Sequence, residues 1–241
     1  MLAALGWGAL AASSLILGVL LALIHKWPKR HVGKVLAFGA GALISAVCFE
    51  LAFEGSKAGG LQLTAVGLAA GALIYYAADR TIAHRFAASD GGPDQTASNN
   101  GTPLALGAIL DGIPEQLVLG MGLATGEDIS RGLLAAIFIS NLPEVIGSAS
   151  DMQEAGTSAK RIIVLWLGVA VISTLASVLG YAVASAATGG LRATADGFAA
   201  GALLVMMIDS MIPEARETAG RTAGLFTVLG FAAAAWLSAT S

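Results

Sequence analysis

The chain is divided into apolar stretches of about membrane-spanning length, and no lysine, arginine or histidine lies inside them beyond Arg221 in the first turn of the last. Lipid offers the backbone no hydrogen-bond partner, so a spanning segment must satisfy its own amides, and a hydrocarbon core of about 30 Å takes about 20 residues of helix. The stretches cover about residues 1–24, 36–53, 61–78, 104–124, 132–149, 162–187, 193–212 and 220–237. They predict an all-α integral membrane protein with eight transmembrane helices, forming one transmembrane domain over residues 1–241. Hydrophobic residues make up 56% and charged residues 12% of the chain, a balance that excludes a soluble domain. Unbroken runs of Ala, Leu and Gly also differ from the alternating segments of a membrane barrel.

Several function classes are excluded at this level. The net charge of −3 implies no nucleic acid or other strongly charged partner, and the single Cys48 allows no internal disulfide. The basic cluster HKWPKRHVGK follows the first stretch rather than preceding it, and no small-residue cleavage site accompanies it, so the first stretch reads as an uncleaved span. The polar run between spans three and four, about residues 79–102, reads as a mobile loop. The 31 glycines suit helices packed closely through small residues, which permits a homodimer without requiring one.

Charge sets the expected orientation. With both termini outside, the cytoplasmic loops hold Lys26, Lys29, Arg30, Lys34, Arg80, Arg85, Lys160, Arg161, Arg216 and Arg221. The outer loops hold only Lys57, Arg131 and Arg192. Since these are all the lysines and arginines of the chain, Asp111, Glu115, Glu144 and Asp209 have no basic residue at their own depth. Carboxylates at membrane depth are costly, so a bound cation or a proton is expected to compensate them.

The chemistry concentrates in spans four and five. They carry GAILDGIPEQLVLG and IFISNLPEVIGS, with Pro114-Glu115 and Pro143-Glu144 in mid-segment. A proline cannot donate to the carbonyl four residues back, so Leu110 and Ile139 are expected to have freed carbonyl oxygens. Asp111 and Glu115 are four apart and share a helix face; Asn141 and Glu144 are three apart and share another. Where the faces meet, Asp111, Glu115, Asn141 and Glu144 offer a set of oxygen ligands for a divalent cation. Ser140 and Gln116 flank them as further oxygen donors. Met206, Met207 and Met211 read as packing residues rather than soft ligands.

A weak internal repeat adds a pathway. Shifting span two by 160 residues onto span seven matches Phe38 to Phe198, Ala40 to Ala200, Gly41 to Gly201, Ala42 to Ala202, Leu43 to Leu203 and Glu54 to Glu214. Spans three and eight align loosely. Because spans two and seven are an odd number of crossings apart, the repeats are inverted, as in many secondary transporters. Glu54 is then expected at the outer mouth and Glu214 at the inner one. Glu50, in the outer half of span two, and Asp209, toward the inner end of span seven, can reach water beside that path.

These features resemble the ZIP family of divalent metal transporters. The likeness rests on the Pro-Glu pairs of spans four and five and on GAGALISAVCFELAFE and AAGALLVMMIDSMIPEA in spans two and seven. It extends over nearly the whole chain. The resemblance implies a three-two-three arrangement of spans, with the inverted repeat of helices 1–3 and 6–8 around helices 4–5, in the cytoplasmic (inner) membrane. It also implies metal passage between the cytoplasm and the outside, commonly as uptake of zinc, iron or manganese.

Several positions depart from the family pattern. Span four of the family typically reads His-Asn-x-Pro-Glu-Gly; here Asp111 stands for the histidine, Gly112 for the asparagine and Gln116 for the glycine. Span five often reads His-Glu-x-Pro-His-Glu; here Ser140 and Asn141 replace the first pair and Glu144 takes the second histidine's place. A second neighbouring metal thereby loses ligands, and one site is expected. Without imidazole, ligand hardness favours Mn²⁺, Fe²⁺ or Mg²⁺, whereas family resemblance favours Zn²⁺, with Cd²⁺ as another candidate cargo. The expected function is transport of a divalent metal ion as substrate, with no prosthetic group and no enzymatic step. Two other readings stay open: a ZIP-like sensor or scaffold without transport, and a metal-dependent membrane-embedded enzyme. The latter would want a nucleophile or phosphate anchor, for which the spans supply no basic residue.

Overall fold

The computed structural model of the chain describes residues 1–89, 101–124, 131–187 and 189–240; the side chains at 82–89, 101–108, 110 and 111 lie outside that description. Among the described residues the regular structure is all helical. Helix α1 spans Leu2–Ile24, and α2, Lys29–Ala46, runs through a π-helical segment, Val47–Phe53, into the short α3, Glu54–Gly59. Next come α4, Leu61–Ser89, α5, Gly101–Leu123, α6, Arg131–Glu154, and α7, Ala159–Ala186. Helix α8, Gly190–Met206, passes through a second π-helical segment, Met207–Met211, into α9, Ile212–Ala219. A 3-10 turn, Gly220–Thr222, then leads to α10, Ala223–Ala239.

Six helical stretches among the described residues are long and apolar enough to cross a membrane: Leu2–Ile24, Lys29–Gly59, Leu61–Thr81, Arg131–Glu154, Ala159–Ala186 and Gly190–Ala239. The protein is therefore multi-pass. The last stretch is too long for one crossing at 1.5 Å per residue, and it bends at Gly220, whose φ of 64° is a left-handed value that glycine adopts without strain. Gly60, with φ 93°, makes the equivalent turn between α3 and α4.

The loop expected over about 79–102 is shorter than the sequence suggested. Helix α4 continues to Ser89 and α5 begins at Gly101. The run DRTIAHRFAAS holds no glycine or proline to stop a helix, the first breakers being Gly91, Gly92 and Pro93. The rest of that expected loop lies outside the described residues. The π-helical segments were not foreseen either. Pro213, next to the second one, cannot donate to the carbonyl four residues back and so favours such a widening; the first reaches the same geometry with no proline.

Packing is dominated by helices that touch backbone to backbone through glycine. Helix α4 lies along α8, where Gly71 abuts the Phe198 carbonyl and Gly201 abuts that of Leu68. Helix α10 lies along α2, with Gly41 against the Thr227 carbonyl and Gly230 against that of Phe38. Helix α5 lies along α7, with Gly120 against the Ser177 carbonyl and Gly180 against that of Leu117. In each case a Cβ would collide with main-chain atoms, so only glycine permits the approach. Helix α6 is held between α1 and α2. The main apolar core is built largely on α2, α5, α6, α8 and α9, and it buries Met206, Met207 and Met211. A smaller core centred on Trp166 joins α1, α6 and α7.

Candidate carboxylate path along α6

Glu115 is buried, only 2% exposed, in the middle of the bundle. The Ser140 hydroxyl lies 3.0 Å from Glu115 Oε1 and 3.0 Å from the Ile137 carbonyl oxygen of its own helix. Its single proton serves one acceptor at a time, so Ser140 can donate to Glu115 or release it to another ligand. The position of Ser140 is set by α2: a Cβ on Gly39 would lie 2.7 Å from Ser140 Cα, so the missing side chain lets α2 close over the site. On the opposite flank Gly18 of α1 faces Val145, where a Cβ would come within 2.9 Å of the valine Cβ. Asn141 is buried beside Ser140, and Glu144, one turn further along α6, is half-buried.

The structure thus brings Glu115 and Ser140 together across α5 and α6, with Asn141 and Glu144 on the same stretch of α6. Asp111 lies on α5 one turn before Glu115, but its side chain is outside the described residues. Among the described residues no three of His, Cys, Asp and Glu form a ready metal shell. Gln116 is fully buried but on a different side of α5. The glycines one turn before and after it, Gly112 and Gly120, abut Ser173 and Ser177 of α7. It therefore faces α7 rather than Ser140, because residues four apart share a helix face.

Two further carboxylates reach α6. At its N-terminal end a Cβ on Gly132 would lie 3.2 Å from Glu50 Oε1, the oxygen that also accepts a 2.6 Å hydrogen bond from Ser238 of α10. Toward its C-terminal end, a Cβ on Gly147 would lie 3.7 Å from Glu214 Oε1, brought there by α9. Gly132, Ser140, Glu144 and Gly147 fall within about one third of the circumference of an α-helix. Glu50, Glu115, Glu144 and Glu214 therefore follow one stripe of α6 in that order. From Gly132 to Gly147 the stripe is about 22 Å long at 1.5 Å per residue.

Glu54 and Asp209 contribute less directly. Glu54 is exposed and pairs with Lys57 at 2.9 Å, while Lys57 lies over the Phe53 ring. Asp209 is exposed on the second π-helical segment. Sequence reasoning missed Asp196, which is buried on α8 with Oδ2 3.7 Å from Arg192 Nε. The two residues are four apart at the start of α8, the spacing of a helical ion pair, and that signal was available. With Glu50 and Glu54 they line a cavity of about 540 Å³ at the Gly132 end of α6. Arg192, assigned from the sequence to an outer loop, is thus a helical residue paired with Asp196 on a cavity that Glu50 and Glu54 also line. At the other end the exposed pair of Lys29 and Asp151, 3.3 Å apart, joins the basic segment after α1 to the C-terminal end of α6.

No family model matches the chain, and no curated protein matches it.

Proposed function

We propose that the protein is a multi-pass carrier for a divalent metal ion, of the ZIP kind, in which the ion passes along α6 between carboxylates supplied by neighbouring helices. The observation that carries this reading is the stripe of Glu50, Glu115, Glu144 and Glu214 along one side of α6. Oxygen ligands spaced along a helix let a hard or borderline cation move between stations without facing hydrocarbon. Asp111, Glu115, Asn141 and Glu144 form the central station, with Ser140 orienting Glu115. Glu50 and Glu54 serve the outer mouth, and Glu214 and Asp209 the inner one. Zinc is the leading cargo, with manganese, iron and cadmium as alternatives.

The proposed architecture is eight transmembrane helices in a three-two-three arrangement, with α5 and α6 as the central pair and both termini outside. Its internal symmetry is supported by features that recur at the same shift of 160 residues. The two π-helical segments begin at Val47 and Met207, 207 − 47 = 160. The left-handed glycines are Gly60 and Gly220, 220 − 60 = 160. The carbonyls met by Gly230 and Gly71 belong to Phe38 and Phe198, again 160 apart. Helix pairing follows the same exchange, α10 on α2 answering α4 on α8, and α1 on α6 answering α7 on α5. A cytoplasmic side for the Glu214 end is supported by the basic segment after α1, which the Lys29 and Asp151 pair ties to that end of α6.

Purified protein in liposomes tests this directly, by uptake of Zn²⁺, Mn²⁺, Fe²⁺, Cd²⁺ and Mg²⁺. The expected result is saturable flux of at least one divalent ion that Glu115→Ala abolishes in protein that still elutes as a folded species. Flux unchanged by Glu115→Ala removes the carboxylate path. Absence of flux for every ion favours the non-transporting sensor or scaffold.

A further inference from the structure

The carboxylate path leaves one group of buried polar atoms unused, on the opposite side of α5. Both amide atoms of Gln116 are buried without a hydrogen-bond partner among the described residues, and so is the Ser173 hydroxyl of α7. Gln116 is 0% exposed and Ser173 1% exposed. Buried polar groups are satisfied in the great majority of native structures, by protein or by ordered water.

Their positions converge. A Cβ on Gly112 would lie 3.1 Å from Ser173 Oγ, so Ser173 points at a place on α5 that has no side chain. Gln116 stands one turn later on the same face, and helical side chains tilt back toward the helix N-terminus. That tilt aims its amide toward the Ser173 side of Gly112, with every side-chain atom of Gln116 more than 4 Å from a Cβ built there. Because neither group bonds the other, they flank that space rather than close it. Helix α1 covers the junction, with Gly8 against Ser177 and the Ser177 hydroxyl donating to the Ala4 carbonyl at 3.2 Å. Outside the carboxylate path, Trp166 Nε1 also lacks a hydrogen-bond partner among the described residues, but it sits in the apolar core of α1, α6 and α7 and has no such convergence.

The geometry points to an internal water site between α5 and α7, held by Gln116 and Ser173 over the missing side chain of Gly112. A cation does not fit the donor set, since the amide Nε2 offers only hydrogens and, among the described residues, no carboxylate lies beside Gln116 and Ser173. Water both donates and accepts, so it can accept a hydrogen bond from Nε2–H, donate one to Oε1 and play either role toward the hydroxyl. Two or more polar partners are what an internal water needs. The site makes the α5 and α7 contact hydrogen-bonded at this level rather than dry. It is independent of whether the protein carries a metal.

Thermal unfolding of the detergent-purified full chain tests the site, using Gln116→Leu, Ser173→Ala and the double variant. A bound water shared by both side chains predicts that each single change lowers the midpoint, Gln116→Leu by several degrees and Ser173→Ala by less. The double variant then falls no further than Gln116→Leu alone, because the same water is lost. A midpoint raised by Gln116→Leu overturns the proposal, since removing a dry, orphaned amide from a core is stabilising. High-resolution density of the unaltered protein decides the matter where a variant does not fold. A solvent peak within hydrogen-bond distance of the Gln116 amide and Ser173 Oγ is expected; a direct Gln116 to Ser173 bond, or no peak between them, overturns it.

Discussion

The two Pro-Glu pairs look alike in sequence and differ in the fold. Glu115 is enclosed, with a serine hydroxyl from the neighbouring helix 3.0 Å away, whereas Glu144 is half-buried near the end of α6 that Glu214 approaches. The difference comes from what covers each helix. Helix α5 is clamped against α7 by glycine contacts, so its carboxylate must point into the bundle. Helix α6 runs between α1 and α2 and opens toward α9. A buried carboxylate with a hydroxyl beside it suits an anchoring ligand, and a more open one suits an exchanging ligand. In the proposed carrier the same dipeptide would hold an ion at one place and pass it on at another.

The sharpest break in that comparison is Glu115→Ala, which should reduce metal uptake in liposomes to the protein-free background. Glu144→Ala should be milder. Water can substitute at a half-open position, so KM for the ion should rise while flux at saturating concentration persists. Equal loss in both variants would remove the distinction between anchor and exchanger. Ser140→Ala withdraws the donor from Glu115 and should weaken apparent affinity by about tenfold, the low end for a lost hydrogen bond to a metal ligand. Ser140→Cys, which keeps a weak donor, should fall between it and the unaltered protein. Smallest for flux is Gly39→Ala, whose Cβ must push Ser140 away from its 2.7 Å approach. Overpacking of this kind costs about 1–3 kcal/mol, readable as a lower unfolding midpoint with a few-fold loss of uptake. Gly6→Ala, where a Cβ meets nothing within 4 Å, is the matched control and should leave both readouts unchanged.

The Glu214 end offers a further sharpening of the same contrast. Gly147→Leu fills the gap between α6 and Glu214 Oε1, which stand only 3.7 Å from a Cβ at that position. Uptake should slow while ion binding at Glu115, measured by isothermal titration of the purified protein, changes by much less than the roughly tenfold that losing a partner of a metal ligand costs.

Much of the architecture was legible without coordinates because the constraints behind it are local. A spanning helix must satisfy its own backbone within about 20 residues. Apolar length, basic residues confined to segment ends and the absence of alternating patterns therefore sufficed to predict a helical, multi-pass chain. The doubled Pro-Glu was legible for the same reason, as an expense no lipid-facing helix would carry. The neighbourhoods of these residues were not legible. In water an apolar stripe marks the buried face of a helix, but these helices are apolar around most of their circumference, since lipid and protein interior select the same side chains. Sequence therefore could not tell that Gln116 turns to α7 while Glu115 turns to α6, or that Glu50 and Glu214 meet α6 at opposite ends. The Arg192 and Asp196 pair was signalled by its spacing of four, but the burial of Asp196 was not. Those facings were decided by where glycines admit a neighbouring helix, its backbone at Gly39 and Gly120 and its side chains at Gly112, Gly132 and Gly147, and such contacts join positions far apart in the chain.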